Sequence, residues 1–304
     1  MRAISSLLSI LKLGFFILLF GFGLCLAKIA NKARLPGIRI RKKSLQTGIL
    51  FYHHPVCKRE VILVGTTHIG ETPYFAQLKQ IIDQFTKQGY KILFEGVGKP
   101  TEEETSKFTP PEQEIWRMLE SMLKILHVLA SMLKLEYQGK DWSKIGWINT
   151  DIPIYELVTK LADYPSKNLV RSVSDTKLWK EIEEGKHQAL LTWLLNIILS
   201  NIVGISIVVR YIFRFKSSLP EHIIVDERNV IALQSIESYG IDSNVVSIWG
   251  AEHLRGLARG LTQRGYQHRK TLWLEAYTAR SFGIRKLWKS FMEEMEEAEE
   301  TDRQ

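Results

Sequence analysis

Three short apolar runs in this chain each end on a residue able to hold a metal or move a proton. Val61-Ile-Leu-Val64 leads into Gly65-Thr-Thr-His68, Lys91-Ile-Leu-Phe94 into Glu95-Gly96, and Val245-Val-Ser-Ile-Trp249 into Gly250-Ala-Glu-His253. Runs of this length and composition read as strands buried on both faces, the kind found where helices cover each side of a largely parallel sheet. In such sheets the carboxyl ends of the strands converge on one crevice. Two histidines and a glutamate far apart in sequence are therefore expected to share one site.

The spacing Gly-x-x-His is not informative alone, because 20 glycines and 8 histidines yield about half an occurrence by chance. A third copy, Gly265-Tyr-Gln-His268, follows Leu261-Thr-Gln-Arg, which has the look of a helix C-terminus rather than a strand. We read it as a decoy. His53-His54 is set aside as a ligand pair, because Pro55 keeps His54 extended and neighbours in an extended chain face opposite ways.

The rest of the pattern predicts an α/β fold: a mixed, mostly parallel sheet flanked by helices. Thr47 to His53 and Glu60 to Val64 read as a hairpin around Pro55-Val-Cys-Lys-Arg. Thr72 is the predicted N-cap of a helix with Pro73 at its first position and Gly89 closing it, and the strand 91–95 then completes a β-α-β unit. Residues 101–111 read as an acidic, proline-marked loop and 111–136 as a long amphipathic helix whose Met and Leu stripe serves packing. Short helices and loops are expected over 138–185, where Trp142, Trp147 and Asp151-Ile-Pro fall. A helix from 220 to 238, a strand 245–249, a helix 253–263 and a strand 271–275 complete the domain.

With 304 residues, 45% hydrophobic and 24% charged, the chain can bury one sizeable core, or one core and a membrane segment. Only Cys25 and Cys57 are present, so neither a disulfide framework nor a cysteine zinc site is available, and any metal must be held by His and carboxylate. The formal charge of +8 is concentrated in Lys28, Lys32, Arg34, Arg39, Arg41, Lys42 and Lys43, against an acidic stretch from Glu293 to Asp302. No nucleic-acid motif accompanies the basic block, so a membrane lipid surface is the expected partner rather than nucleic acid.

Residues 13–27 are uncharged, and snorkelling of Lys12 extends the apolar run back to Ala3, long enough to cross a bilayer. We read 1–30 as an N-terminal transmembrane anchor and 31–46 as a basic linker. A cleaved signal peptide is the rival reading, but the basic block lies on the wrong side of the apolar run for export. The same charge asymmetry predicts a single-pass membrane protein with its main domain, 47–280, in the cytoplasm. The tail 281–304 is expected to be helical and acidic. Within the domain, 189–213 is an apolar helical insert; Thr192, Asn196, Ser200 and Gly204 recur every four residues along it. A single crossing there would put His68 and His253 on opposite sides of the membrane. The expectation is thus a buried or in-plane helix or a re-entrant hairpin, with a second span as the competing reading.

At strand ends His68 and His253 face the positive end of a helix or turn, which favours neutral imidazole, the form a metal ligand or general base needs. With Glu95 they make a two-His, one-carboxylate set for a divalent metal ion, Mn, Co or Zn, leaving positions open for water. The competing reading is that each histidine merely bonds a nearby turn. Arg228, on a helix with Val225, Ile231 and Ala232, is a candidate to orient Glu95 or to clamp an anionic group, against an ion pair with Asp226 or Glu227 on a wet face. Glu252, beside His253, is a candidate proton carrier, as are Glu71 and Glu275; a solvated surface carboxylate is the rival for each.

The set Val64-Gly-Thr-Thr-His68, Phe94-Glu95, Glu227-Arg228-Asn229 and Trp249-Gly-Ala-Glu-His-Leu-Arg-Gly256, followed by Gly265-Tyr266, resembles the TraB/Tiki family and its erythromycin-esterase-like and ChaN-like relatives. The likeness covers about residues 58–277. It implies an α/β domain with His68, Glu95, Arg228 and His253 as the functional set, and membrane-tethered, divalent-metal-dependent peptidase activity as in Tiki proteins. TraB proteins are linked to peptide-pheromone shutdown and ChaN-like relatives bind haem, so the family reaches beyond one reaction. This chain departs from the pattern in its N-terminal anchor with a cytoplasmic domain and in its unusually apolar insert. The expectation is a metallohydrolase acting on a peptide or protein substrate; the alternative is a non-catalytic membrane protein that sequesters haem or a hydrophobic signalling peptide.

Overall fold

Alternate residues of the apolar strands enter two different cores, and that partition defines the architecture. In a computed structural model describing residues 37–41, 44–132, 135–138, 146–164, 220, 222–240 and 242–278, Val61 and Leu63 pack in one core and Ile62 and Val64 in the other. Both groups are essentially inaccessible to solvent. A strand with helices on both faces must be apolar at every position, which is why these runs do not alternate with polar residues.

The strands are β1 (Ile38–Arg41), β2 (Ser44–His53), β3 (Glu60–Thr66), β4 (Ile69–Gly70), β5 (Lys91–Phe94), β6 (Glu136–Tyr137), β7 (Ile148–Asn149), β8 (Val245–Gly250) and β9 (Gln267–Thr278). Seven of them form one mixed sheet in the order β1-β2-β3-β8-β5-β7, with β9 on the other edge of β2. The pairs β3·β8, β8·β5 and β5·β7 are parallel. Strand β2 is antiparallel to β1, β3 and β9, so it alone runs against the rest, and the sheet is mostly parallel. Strands β4 and β6 form a separate two-stranded ribbon.

Helix α1 (Thr72–Lys87) covers one face through Tyr74, Phe75, Leu78 and Ile82, at the three-to-four-residue spacing of an amphipathic helix. Gly89, at φ +82°, closes it as expected. The start differs slightly: Glu71 is the N-cap, and its Oε1 accepts from the Thr278 N–H at 2.9 Å. The opposite face is covered by α5 (Arg228–Ser238) and α6 (Leu254–Gln263), through Ala232, Leu233 and Ile236 on the former and Leu254, Leu257, Ala258 and Leu261 on the latter. A third core joins α3 (Pro110–Met132), α4 (Ile154–Ala162) and the π-helical turn His222–Glu227 that precedes α5.

Several local expectations are revised. Residues 101–111 are not all loop, because Thr101 and Glu104 make a reciprocal capping box that starts the short helix α2 (Glu102–Ser106). Ile38–Arg41, in the stretch taken as linker, is a strand paired with β2. The last strand is longer than 271–275, because the full length of β2 is there to pair with it. The proposed anchor 1–30, the insert 189–213 and the tail 281–304 lie outside the described residues. Among the described residues no helix is long and apolar enough to cross a membrane.

Candidate functional site

Because β3, β8, β5 and β7 run in the same direction, the residues just past their C-termini gather at one edge of the sheet. That edge carries His68, the turn Ala251-Glu252-His253, Glu95 and Asp151. The register puts His53 and His268 at the opposite edge: His53 pairs with Glu60 at the start of β3, and His268 with Tyr52. His268 is exposed and bonds Thr271, which agrees with reading Gly265-Tyr-Gln-His268 as a decoy. His54 accepts from the Val56 and Cys57 N–H groups, a turn role.

Glu95 is gripped from two sides. The Gly250 N–H donates to its Oε2 at 2.5 Å and Arg228 Nη2 donates to its Oε1 at 2.5 Å. Gly250 eases the first contact: a Cβ there would lie 3.1 Å from Oε2, close enough to shift the carboxylate by a few tenths of an ångström. Burial pushes the Glu95 carboxyl up, but Arg228, His253, the Gly250 N–H and His68 together hold it well below the usual carboxylate range. It is an ionised glutamate that still presents 18% of its side-chain surface.

Arg228 bonds neither of its sequence neighbours. Its Nε and Nη2 grip Asp151 Oδ1 and Oδ2 at 2.8 and 2.6 Å, a bidentate pair, while Nη2 also reaches Glu95 and Nη1 donates to the Ile224 carbonyl at 3.2 Å. Its side chain is 5% exposed and that of Asp151 is fully buried. Burial alone would pull the guanidinium down, but the two carboxylates more than offset it. Burial and the nearby Glu95 charge push Asp151 up, against Arg228. With most of its donors committed, Arg228 is an anchor for Glu95 rather than a free clamp. Glu227 instead meets Lys160.

His253 is the N-cap residue of α6, 1% exposed, with its ring 5.0 Å from that of Trp249. Its Nδ1 lies 2.9 Å from Asn229 Oδ1, and its Nε2 lies 3.7 Å from Glu95 Oε1. The structure thus brings His253, Glu95 and Arg228 together. His68 is at the same edge but exposed, in a loop pinned by the Gln138 N–H on its carbonyl. Glu252 is half-buried in the turn beside His253. Glu275 accepts from Ser44 and Gln46, and Glu71 from β9, so both serve the strand pairing.

Asp151 and Asn229 are the members that sequence reasoning did not assign. Asp151 follows a strand of two residues, too short for any periodicity. Asn149 ties this loop down, donating to the Gly96 carbonyl at 2.8 Å and accepting from the Asp151 N–H at 3.0 Å. For Asn229 a signal did exist: Arg228, Asn229, Ala232, Leu233 and Ile236 form one buried helical stripe.

A divalent ion fits this donor set in part. His253 Nε2 and Glu95 Oε1, 3.7 Å apart, have about the separation of two ligands on one ion with bonds of ~2.0–2.2 Å. One guanidinium faces two carboxylates, so the pair also carries surplus negative charge. A third ligand is not in place: among the described residues no three His, Cys, Asp or Glu side chains stand close enough together to hold a metal. Comparison with protein-family models, curated proteins and solved structures gives no match to this chain.

Proposed function

We propose that the chain is a membrane-anchored, TraB/Tiki-like hydrolase that cleaves a peptide or amide bond at the strand-end cluster of Glu95, Arg228, Asp151 and His253. The observation that carries this reading is the pairing of a buried imidazole nitrogen with an ionised glutamate, His253 Nε2 to Glu95 Oε1 at 3.7 Å, at the carboxyl edge of a parallel sheet. Membrane attachment rests on the uncharged run 13–27 and the basic residues after it.

Each residue has a definite task. Arg228 and the Gly250 N–H keep Glu95 ionised and fix both of its oxygens. Asp151 holds the Arg228 guanidinium flat by its bidentate grip, so removal of either would loosen Glu95. His253 offers a nitrogen to take a proton from water, or to hold a metal. A divalent metal would be held by His253 and Glu95, with His68 completing the set only on a movement of its exposed loop, and would lower the pKa of bound water and polarise the scissile carbonyl. Glu252 is the proton carrier to the leaving amine in this reading.

The test is hydrolysis of a fluorogenic peptide library by the detergent-purified chain, with Mn, Co or Zn supplied, beside Glu95→Gln. Cleavage by the wild type that falls at least a hundredfold in Glu95→Gln supports the proposal. Cleavage that is undiminished in that variant rules out this cluster as the centre.

A further inference from the structure

Asn229 and Gly256 meet in a way that the hydrolytic reading leaves unused. Asn229 is 4% exposed, and its Oδ1 lies 2.9 Å from His253 Nδ1. Its Nδ2 is buried with no hydrogen-bond partner. An amide with one end unsatisfied is not held there by hydrogen bonding alone. What confines it is shape: a Cβ built on Gly256 would fall 2.2 Å from Asn229 Nδ2 and 3.1 Å from its Cγ. The amide therefore occupies the volume that any other residue at 256 would fill. Gly256 lies three residues beyond His253, so the two face the same side of the first turn of α6 and both meet Asn229 on α5.

We propose that Asn229 is the positioning residue of the site: wedged against Gly256, its amide oxygen accepts the hydrogen bond from His253 Nδ1 and keeps Nε2, on the side of Glu95, unprotonated. A free imidazole in water prefers the opposite tautomer, with its proton on Nε2, which could neither accept a proton from water nor bind a metal there. The partner of one ring nitrogen dictates the state of the other. This explains why His253 is followed by Leu-Arg-Gly: the glycine is space for the amide that orients the histidine. The inference rests on the hydrolytic reading for its consequence, but the tautomer is measurable without any activity.

The experiment is long-range proton–nitrogen NMR of the metal-stripped, full-length chain labelled with 15N-histidine, with the His253 signals assigned by their loss in His253→Gln. The expected wild-type spectrum shows His253 with its proton on Nδ1 and an unprotonated Nε2. Asn229→Asp, which keeps an oxygen acceptor, retains that tautomer. Asn229→Leu and Gly256→Ala, the second of which keeps the amide group but pushes it off the ring, shift His253 towards the Nε2–H form. Asn229→Asp and the wild type serve as folded references, since both preserve the amide-sized volume at 229. A wild-type His253 protonated on Nε2 would overturn the proposal, and so would an unchanged tautomer in a folded Gly256→Ala chain. If a substrate is in hand, Asn229→Leu lowers kcat at least tenfold with KM little changed, and Asn229→Asp restores part of it. A chain without hydrolytic activity but with the stated tautomer behaviour would retire the hydrolase and leave the positioning role standing.

Discussion

Two buried arginines sit at opposite ends of the same parallel strands, and their partners differ in kind. At the amino end, just before β3, Arg59 is 5% exposed and donates to the Ser243 carbonyl at 2.8 Å, the Ile236 carbonyl at 2.5 Å and the Tyr266 hydroxyl at 3.3 Å. At the carboxyl end, Arg228 meets Asp151 and Glu95. Arg59 spends its charge on neutral oxygens that would otherwise be orphaned where α5 ends and β8 begins. It is a staple. Arg228 spends its charge on two acids, one of which stays partly open to solvent next to a histidine nitrogen. Neutral acceptors mark a structural arginine; a surplus of carboxylates marks a site that has room for another positive charge.

The largest effect should come from breaking the second arrangement. Arg228→Met leaves Asp151 and Glu95 buried without their counter-charge, and removal of one partner of a buried pair costs ~3–5 kcal/mol. Chemical denaturation should show that loss together with loss of function. Arg59→Met should cost less, on the order of 2–3 kcal/mol, because the groups left unpaired are neutral. Its signature is the dissociation of stability from function: a lower denaturation midpoint, with undiminished metal binding per folded molecule. Asp151→Asn preserves shape but keeps only one of the two oxygens that accept from Arg228, so it should fold with a loss smaller than that of Arg228→Met. Loosening Glu95 by one step should nonetheless weaken metal affinity ~10–100-fold, as for other groups that support a ligand, which isothermal titration would read.

The smallest effect is one of pH, in metal-stripped protein. The Glu95 pKa is lowered on folding, so its contribution to stability is complete above the ordinary carboxylate range of ~4 and is lost as pH falls below it towards the folded value. Asp151 has the opposite sign. Its raised folded pKa gives a contribution present below the ordinary aspartate value and lost as pH climbs through the folded one. Stability against pH should therefore steepen on the acid side through Glu95 and be flattened there by Glu95→Gln, while Asp151→Asn should remove the gain seen as pH falls through the raised Asp151 value.

The same contrast explains what could be read in the sequence. β3, β5 and β8 were legible because a strand covered on both faces has to be apolar throughout, and α1 and α6 because their buried residues keep helical spacing. Arg228 was reached from its apolar neighbours Val225, Ile231 and Ala232 and from the family resemblance, while Glu95 and His253 followed from the ends of β5 and β8. Asp151 did not, since β7 exists only through its two-residue pairing with β5 and leaves no pattern of its own. Arg59 was equally hidden: nothing in Lys58-Arg59-Glu60 distinguishes a buried guanidinium from a surface charge, because its acceptors, two backbone carbonyls and the Tyr266 hydroxyl, lie far away in sequence. The capping box of α2 was present in Thr101 and Glu104 but masked by the prolines and acids around it. For His68 the strand end was legible while its exposure was not, as that depends on how β4 and β6 pin the loop.

The central claim is that the carboxyl edge of the sheet is one metal-assisted site. It is tested most directly by elemental analysis of the purified full-length chain, after incubation with Zn, Mn or Co and removal of excess ion, beside the His68→Ala, His253→Ala double variant. The account predicts near-stoichiometric metal in the wild type and its loss in the folded variant. A wild type that retains none of the three ions, or a variant that retains as much as the wild type, would contradict it.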